Sequence, residues 1–302
     1  MKQIISIDLG SNSMSFLKFE CATQTRLYAK TITVKTADGL SETGKISQGA
    51  LERIVKGIKE VQSEIDFDDA TVKAVTTEAI RRASNSDEVL ASIEKETGVL
   101  FEVIDGEQEA NYALLATTKR LEMLGYTPKS FVLVDIGGGS TELIFHYEGQ
   151  TISKSFKVGI VTLTQSYEGA EAIAQAIPEV MREVKAFSDE VYAKYGKPEM
   201  FVATAGTPTT IAAMKLGFTY STYDSEKIHG VLLTKDDLQT QMSRLLAMSL
   251  EKREEAVGVG RADLIASGIL IFKEVYTITG FRSSMVIDDG VREGVVYEGC
   301  LG

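Results

Sequence analysis

The chain has 302 residues, 44% of them hydrophobic and 25% charged, enough for two domains or one large one and for a sizeable core that needs no staples. Its 32 Lys and Arg stand against 43 Asp and Glu, a net charge of −11, which argues against general binding to nucleic acid or anionic membranes but not against a local basic pocket. The two cysteines, Cys21 and Cys300, and two histidines, His146 and His229, exclude a disulfide framework, a cysteine-rich zinc site and a multi-histidine metal centre. Both cysteines are expected to be inert thiols and both histidines structural. No apolar run reaches the roughly 20 residues that span a bilayer, and Asp8 interrupts the N-terminal apolar stretch too early for a signal peptide. The compartment expected on these grounds is the cytoplasm.

In chain order, residues 5–20 read as strand, tight turn, strand, followed by a third strand over 26–35. A helix is predicted over 48–65, capped by Ser47, with Leu51, Ile54, Val55, Ile58, Val61 and Ile65 on one face. Strands follow at 71–76 and 100–104, then a helix over 106–124 that ends before Gly125-Tyr126-Thr127-Pro128. The pattern then starts again: strand, turn, strand over 132–147 and a strand over 151–158. Helices are predicted over 170–195, 235–249, 262–279 and 290–300, and strands over 199–204, 228–234 and 284–288. Gly206-Thr207 opens a further helix.

The recurrence is an internal repeat. At the constant offset of 127 that separates Asp8 from Asp135, Gly10 falls on Gly137 and Ser13 on Ser140. Two similar α/β lobes are therefore predicted. One comprises residues 1–124, with 290–302 returning to it as an open alternative; the other comprises 125–289. The turns would face each other across a cleft. This is the logic of the actin-like (ribonuclease H-like) fold, the α/β class expected here.

The turns Gly10-Ser11-Asn12-Ser13 and Gly137-Gly138-Gly139-Ser140 carry what a phosphate grip needs. Backbone N–H groups at a tight turn converge on an anion, and glycine leaves no Cβ to keep the phosphate off the main chain. Asp8 and Asp135 end the strands that lead into them, and carboxylates there suit Mg²⁺ shared with substrate phosphates. Either turn alone reads equally well as an ordinary hairpin; the matched pair favours phosphate.

These residues make the chain resemble the exopolyphosphatase / guanosine pentaphosphate phosphohydrolase (Ppx/GppA) family in its short, two-domain form. The resemblance continues along nearly the whole chain through Thr77-Glu78-Ala79-Ile80-Arg81-Arg82-Ala83-Ser84-Asn85, Asp105-Gly106-Glu107-Gln108-Glu109-Ala110, Gly159 with Leu163, Ala205-Gly206-Thr207, His229-Gly230, Arg261-Ala262-Asp263 and Gly290-Val291-Arg292-Glu293-Gly294. It departs from the family at Ser15 and Thr162, where a basic residue is common, and at Gln108, which splits an acid pair.

The resemblance implies an enzyme that releases orthophosphate from the end of inorganic polyphosphate or converts guanosine pentaphosphate to the tetraphosphate. Glu109 would activate the water, and Asp105 and Gln108 form a D-x-x-Q capping box that places it in a helix's first turn. Helix-dipole complementation is the competing role for Glu109. Arg81 is expected to clamp a phosphate, with a surface cation beside Glu78 as the alternative. Asp8, Asp135 and Glu142 would hold Mg²⁺ or Mn²⁺. Gly206 and Thr207 either bind phosphate at a helix N-terminus or form a plain cap. An actin-like small-molecule kinase and a non-catalytic nucleotide or polyphosphate sensor are the rival readings. Substrate is the only expected partner apart from a homodimer; neither nucleic acid nor membrane is expected.

Overall fold

The computed structural model describes residues 2–301. They divide into two compact units, one within residues 1–116 together with 291–302, the other 117–290. In the first unit, β1 (Gln3–Leu9), β2 (Ser13–Glu20) and β3 (Thr25–Thr33) form an antiparallel meander. A short α1 (Leu40–Thr43) and the long α2 (Gln48–Glu64) precede β4 (Thr71–Thr76). After it come α3 (Glu78–Arg82), α4 (Ser86–Thr97), β5 (Phe101–Val103) and α5 (Gly106–Met123). The sheet order is β3-β2-β1-β4-β5, with β4 parallel to both β1 and β5.

Helix α2 forms for the reasons legible in its sequence. The Ser47 hydroxyl accepts the Ala50 N–H at 3.2 Å, and Ile54, Val55, Ile58 and Val61 are buried along one stripe. Gly57 lies where the helix meets the sheet: a Cβ there would stand 2.9 Å from Met14 Cε.

The second unit repeats the plan. β6 (Ser130–Ile136), β7 (Thr141–Tyr147) and β8 (Gln150–Phe156) form the meander, followed by α6 (Ile160–Ser166), α7 (Gly169–Val180) and α8 (Arg182–Tyr195). Then come β9 (Met200–Thr204), α9 (Gly206–Lys215), α10 (Ser225–Ile228), β10 (Leu232–Thr234), α11 (Lys235–Ala247), α12 (Leu250–Val257), α13 (Ile265–Thr279) and β11 (Ser283–Val286). The sheet order is β10-β11-β9-β6-β7-β8. Helix α13 is apolar around most of its circumference, and Ile269, Phe272, Val275 and Tyr276 are buried in the unit's core. The Phe201 ring meets Tyr276 edge-on at 5.1 Å.

The chain closes with α14 (Val291–Leu301), which packs on the first unit. Its Val296 joins Ile4, Leu17 and Phe19, and a Cβ on Gly294 would stand 2.2 Å from the Tyr112 carbonyl oxygen. Beyond that contact, Cys21 and Cys300 form a disulfide across 279 residues of sequence, so they are not the inert thiols expected from their number and spacing. The ground for a reducing compartment is thereby removed. No helix among the described residues is long and apolar enough to cross a membrane.

Several elements differ from the sequence reading. The helix predicted over 170–195 is two, parted at Met181, three residues beyond Pro178, which lies within the first of them. Helices α1, α3, α4, α6, α10 and α12 have no counterpart among the predicted elements. The strand predicted over 228–234 begins only at Leu232, after α10 and a turn in which Gly230 takes φ +83°. The units part inside α5, not at the glycine turn after it.

Candidate active site

The two glycine turns are built alike. The N–H of Gly10 donates to the Ser13 carbonyl at 3.0 Å, and that of Gly137 to the Ser140 carbonyl at 2.9 Å. In each turn two carbonyls are taken up by the segment behind. The Ala37 N–H reaches the Ser11 carbonyl at 2.9 Å, and those of Val34 and Lys35 reach the Asn12 carbonyl at 3.0 and 2.8 Å. In the second unit the N-terminus of α6 does the same: Ile160 donates to the Gly137 carbonyl at 3.0 Å and Val161 to that of Gly138 at 2.8 Å. The N–H groups of Ser11, Asn12, Gly138 and Gly139 donate to no acceptor among the described residues. Consecutive donors left over in this way are an anion nest. Ser11, Asn12 and Ser140 are buried beside them.

Gly159 is what allows the second turn to rest on α6. A Cβ there would stand 2.3 Å from the Gly138 oxygen and 2.5 Å from the Gly139 carbonyl carbon.

Register explains the carboxylates. Asp135 pairs with Glu142 across β6 and β7, Glu142 with Ser155 across β7 and β8, and Asp135 with Thr204 across β6 and β9. Directly opposed residues share a face, so Thr204, Asp135, Glu142 and Ser155 form one polar row. Glu142 is 1% exposed, and the Ser155 hydroxyl donates to its Oε1 at 2.6 Å, fixing its direction. In the first unit the matching row reads Val75, Asp8, Ser15 and Thr31, with a serine where the second unit has Glu142. The Ser15 and Thr31 hydroxyls bond each other at 3.1 Å. Asp8 is held protonated up to about pH 7: burial raises its pKa, the Arg292 charge opposes that rise, and Glu293 adds to it.

The three carboxylates expected at the metal are not one cluster. Among the described residues no group of three His, Cys, Asp or Glu side chains is placed to hold a metal ion. Asp135 and Glu142 form a pair in one unit, and Asp8 belongs to the other. The pair still fits Mg²⁺, which commonly binds one or two carboxylates and completes its shell with water and substrate phosphate.

Glu109 stands in the first turn of α5, 9% exposed. The capping box forms as its sequence implies. Asp105 Oδ1 accepts the N–H groups of Glu107 and Gln108 at 3.0 and 2.9 Å, and Gln108 Oε1 accepts that of Asp105 at 3.1 Å. Arg81 Nη1 lies 3.7 Å from Glu109 Oε2 and donates to the Ile104 carbonyl at 2.6 Å, while Nη2 donates to Glu78 Oε2 at 2.6 Å. Arg81 is thus no loose surface cation: it is pinned beside Glu109.

At α9 the two expected residues part company. Thr207 turns inward against α13, where a Cβ on Gly268 would stand 2.1 Å from its Oγ1, so its hydroxyl is not presented at the helix end. Gly206 keeps its backbone at the helix start, and Arg261 Nη2 lies 2.2 Å from where its Cβ would be. The residue before it, Ala205, takes φ +71°, a strained conformation for a residue with a side chain. Arg261 was not among the expected site residues, although Arg261-Ala262-Asp263 is one of the motifs that carry the resemblance and Gly206 leaves room for its approach.

A duplicated α/β fold, in which each half opens with a strand, a glycine turn presenting N–H groups and a second strand, is that of the actin-like phosphate-binding proteins. The chain belongs to the Ppx/GppA phosphatase family, whose model matches residues 21–301. It is 26% identical to exopolyphosphatase 1 of Mycobacterium leprae, over 96% of this chain and 87% of that one. It is 28% identical to the guanosine-5'-triphosphate,3'-diphosphate pyrophosphatase of Aeromonas hydrophila, over 98% of this chain and 59% of that longer one. Among solved structures, a Ppx/GppA family member from Aquifex aeolicus matches at 30% identity and TM-score 0.74, covering 99% of this chain and 98% of that one. An exopolyphosphatase from Cytophaga hutchinsonii shares the fold at TM-score 0.87 and 23% identity, over 100% and 98% of the two chains.

Proposed function

We propose that this phosphatase hydrolyses the terminal phosphoanhydride of a linear polyphosphate, either inorganic polyphosphate or the triphosphate arm of guanosine pentaphosphate. Water attacks the terminal phosphorus, the bridging P–O bond breaks, and orthophosphate and a chain one phosphate shorter leave. The observation that carries the reading is the repeated turn, in which two carbonyls are taken up behind it and two consecutive N–H groups are left for an anion. Gly10 to Ser13 and Gly137 to Ser140 bind phosphate oxygens. Gly206 adds the N-terminus of α9, and Arg261 the cation beside it. Glu109, fixed by its capping box and by Arg81, orients the water and takes its proton.

Asp135 and Glu142 would hold Mg²⁺, which when bound neutralises phosphate oxygens as the bridging bond breaks. Asp135 is aimed by its strand, and Glu142 by Ser155.

The test is orthophosphate release by the purified chain from polyphosphate and from guanosine pentaphosphate side by side, with and without chelator. Release from at least one, lost on chelation and restored by Mg²⁺ or Mn²⁺, is expected. No release from either with metal present would refute the reaction, and full activity in metal-free buffer would refute the metal.

A further inference from the structure

Glu78 opens α3 and is 5% exposed. One oxygen accepts the Arg81 Nη2 bond; the other, Oε1, is buried and makes no hydrogen bond among the described residues, with Arg82 Nε 3.7 Å away. A carboxylate buried with half its acceptor capacity unused is costly, so packing alone does not account for it. What it does accomplish is visible in the guanidinium beside it. Arg81 is held at both terminal nitrogens, by the Ile104 carbonyl and by Glu78, and its charge lies between two carboxylates. Glu78 is at 2.6 Å, in full charge-assisted contact; Glu109 is at 3.7 Å, outside it.

We propose that Glu78 is a positioning residue for the hydrolytic site: it binds Arg81 and shares its charge, so that Arg81 orients Glu109 without closing on it. The proposal rests on the reading of Glu109 as the carboxylate that activates water. An arginine in direct contact depresses a carboxylate's pKa by about 1–3 units, and a base so weakened accepts a proton from water more slowly. Released from Glu78, Arg81 needs to move little more than an ångström to make that contact with Glu109. The charged groups that bear on Glu109 in this unit include Arg81 from α3, with Glu78 and Arg82 behind it, and Asp105 and Glu107 at the start of its own helix. The Asp105 Oδ1 is spent on capping. Glu78 is therefore the anion best placed to moderate Arg81.

The experiment is the pH profile of orthophosphate release from polyphosphate, or from guanosine pentaphosphate where that is the better substrate, for four variants. In Glu78→Gln an oxygen still accepts from Arg81 but the charge is gone. Its acid limb should move about one unit to lower pH, with kcat severalfold lower and KM within about twofold. Glu78→Asp restores the charge and should return the limb towards the wild-type position. Arg81→Gln removes the cation and should move the limb the opposite way, to higher pH. That direction decides the matter if Glu78→Gln does not fold. An unmoved limb in Glu78→Gln, an equal shift in Glu78→Asp, or a downward shift in Arg81→Gln would overturn the proposal. Glu109→Gln separates the two levels. If it retains turnover, the reading of Glu109 falls and this proposal with it; if it is inactive while the Glu78→Gln limb stays put, only this proposal falls.

Discussion

Replacing Gly159 with alanine tests the support of the second phosphate turn. The residue sits at φ −135° and ψ 166°, which alanine adopts freely, so the effect is steric and owes nothing to backbone strain. The new methyl carbon would lie 2.3 Å from the Gly138 oxygen and 2.5 Å from the Gly138 and Gly139 carbonyl carbons, all of them main-chain atoms with no side-chain rotation to relieve them. Reaching ordinary contact near 3.5 Å requires the turn and the start of α6 to part by more than about 1 Å. Overpacking of this kind costs about 1–3 kcal/mol, and losing one or two of the bonds from Ile160 and Val161 adds roughly 0.5–1.5 kcal/mol each. The sum, about 1.5–6 kcal/mol, corresponds to a fall in Tm of roughly 3–24 °C for a unit of this size. Displacing the donors of Gly138 and Gly139 should also raise KM by about tenfold or more, the loss of one charge-assisted hydrogen bond of about 1.5 kcal/mol. Differential scanning fluorimetry and steady-state orthophosphate release measure the two effects. Gly49→Ala is the control: its methyl would meet only the flexible tip of Arg53, at 3.4 Å, and should leave KM unchanged and Tm no lower, helix α2 gaining up to about 1 kcal/mol from the better helix former. Wild-type KM and Tm in the Gly159 variant would refute the argument that this glycine carries the turn.

Glu109→Gln should lose about 10²–10⁴-fold in turnover while still binding substrate, whereas Glu107→Gln, in the same helical turn, should cost roughly 0.3–1 kcal/mol of stability and spare turnover; equal small effects would assign Glu109 to the helix dipole alone. Removing the disulfide by Cys300→Ser opens a loop of 279 residues and should cost up to about 5 kcal/mol. The wild-type urea midpoint should then fall to the variant's value on reduction, and a midpoint indifferent to reductant would sink the claim. Asp8 gives a pH signature in metal-free protein. Its folded pKa of about 7 lies above the 3.8 of the unfolded chain, so both states hold the proton below pH 3.8 and no cost arises. As pH rises from about 4 to 7 the unfolded carboxylate ionises first and folding loses stability, reaching its full loss above pH 7. Asp8→Asn should therefore gain stability over wild type progressively across that window and hold the gain at pH 8. A difference independent of pH would show that burial does not perturb Asp8.

Much of this protein is legible without coordinates, and for local reasons. The duplication is written in the spacing from Asp8 to Asp135. The meanders follow from alternation and turn residues, and the Ser47 and Asp105–Gln108 caps from short-range bonding that any chain with those residues satisfies in the same way. The two turns needed no more than this, whereas local pattern places Glu109 in a helix's first turn and only the family resemblance gives it a role there.

What the tertiary structure decided is whatever depends on residues distant in sequence. Strand register put Glu142 opposite Asp135 and left Ser15 at the equivalent place in the first unit. Close packing against Gly268 turned Thr207 away from the helix end, and Gly206 admitted Arg261 in its place. Cys21 and Cys300 look unrelated along the chain, and only the return of α14 to β1 and β2 brings them within a bond. Glu78 looks like a surface acid in α3 until the fold buries it against Arg81. A hydrogen bond between near neighbours is set by the residues themselves, whereas burial and charge pairing are set by what the rest of the chain brings alongside.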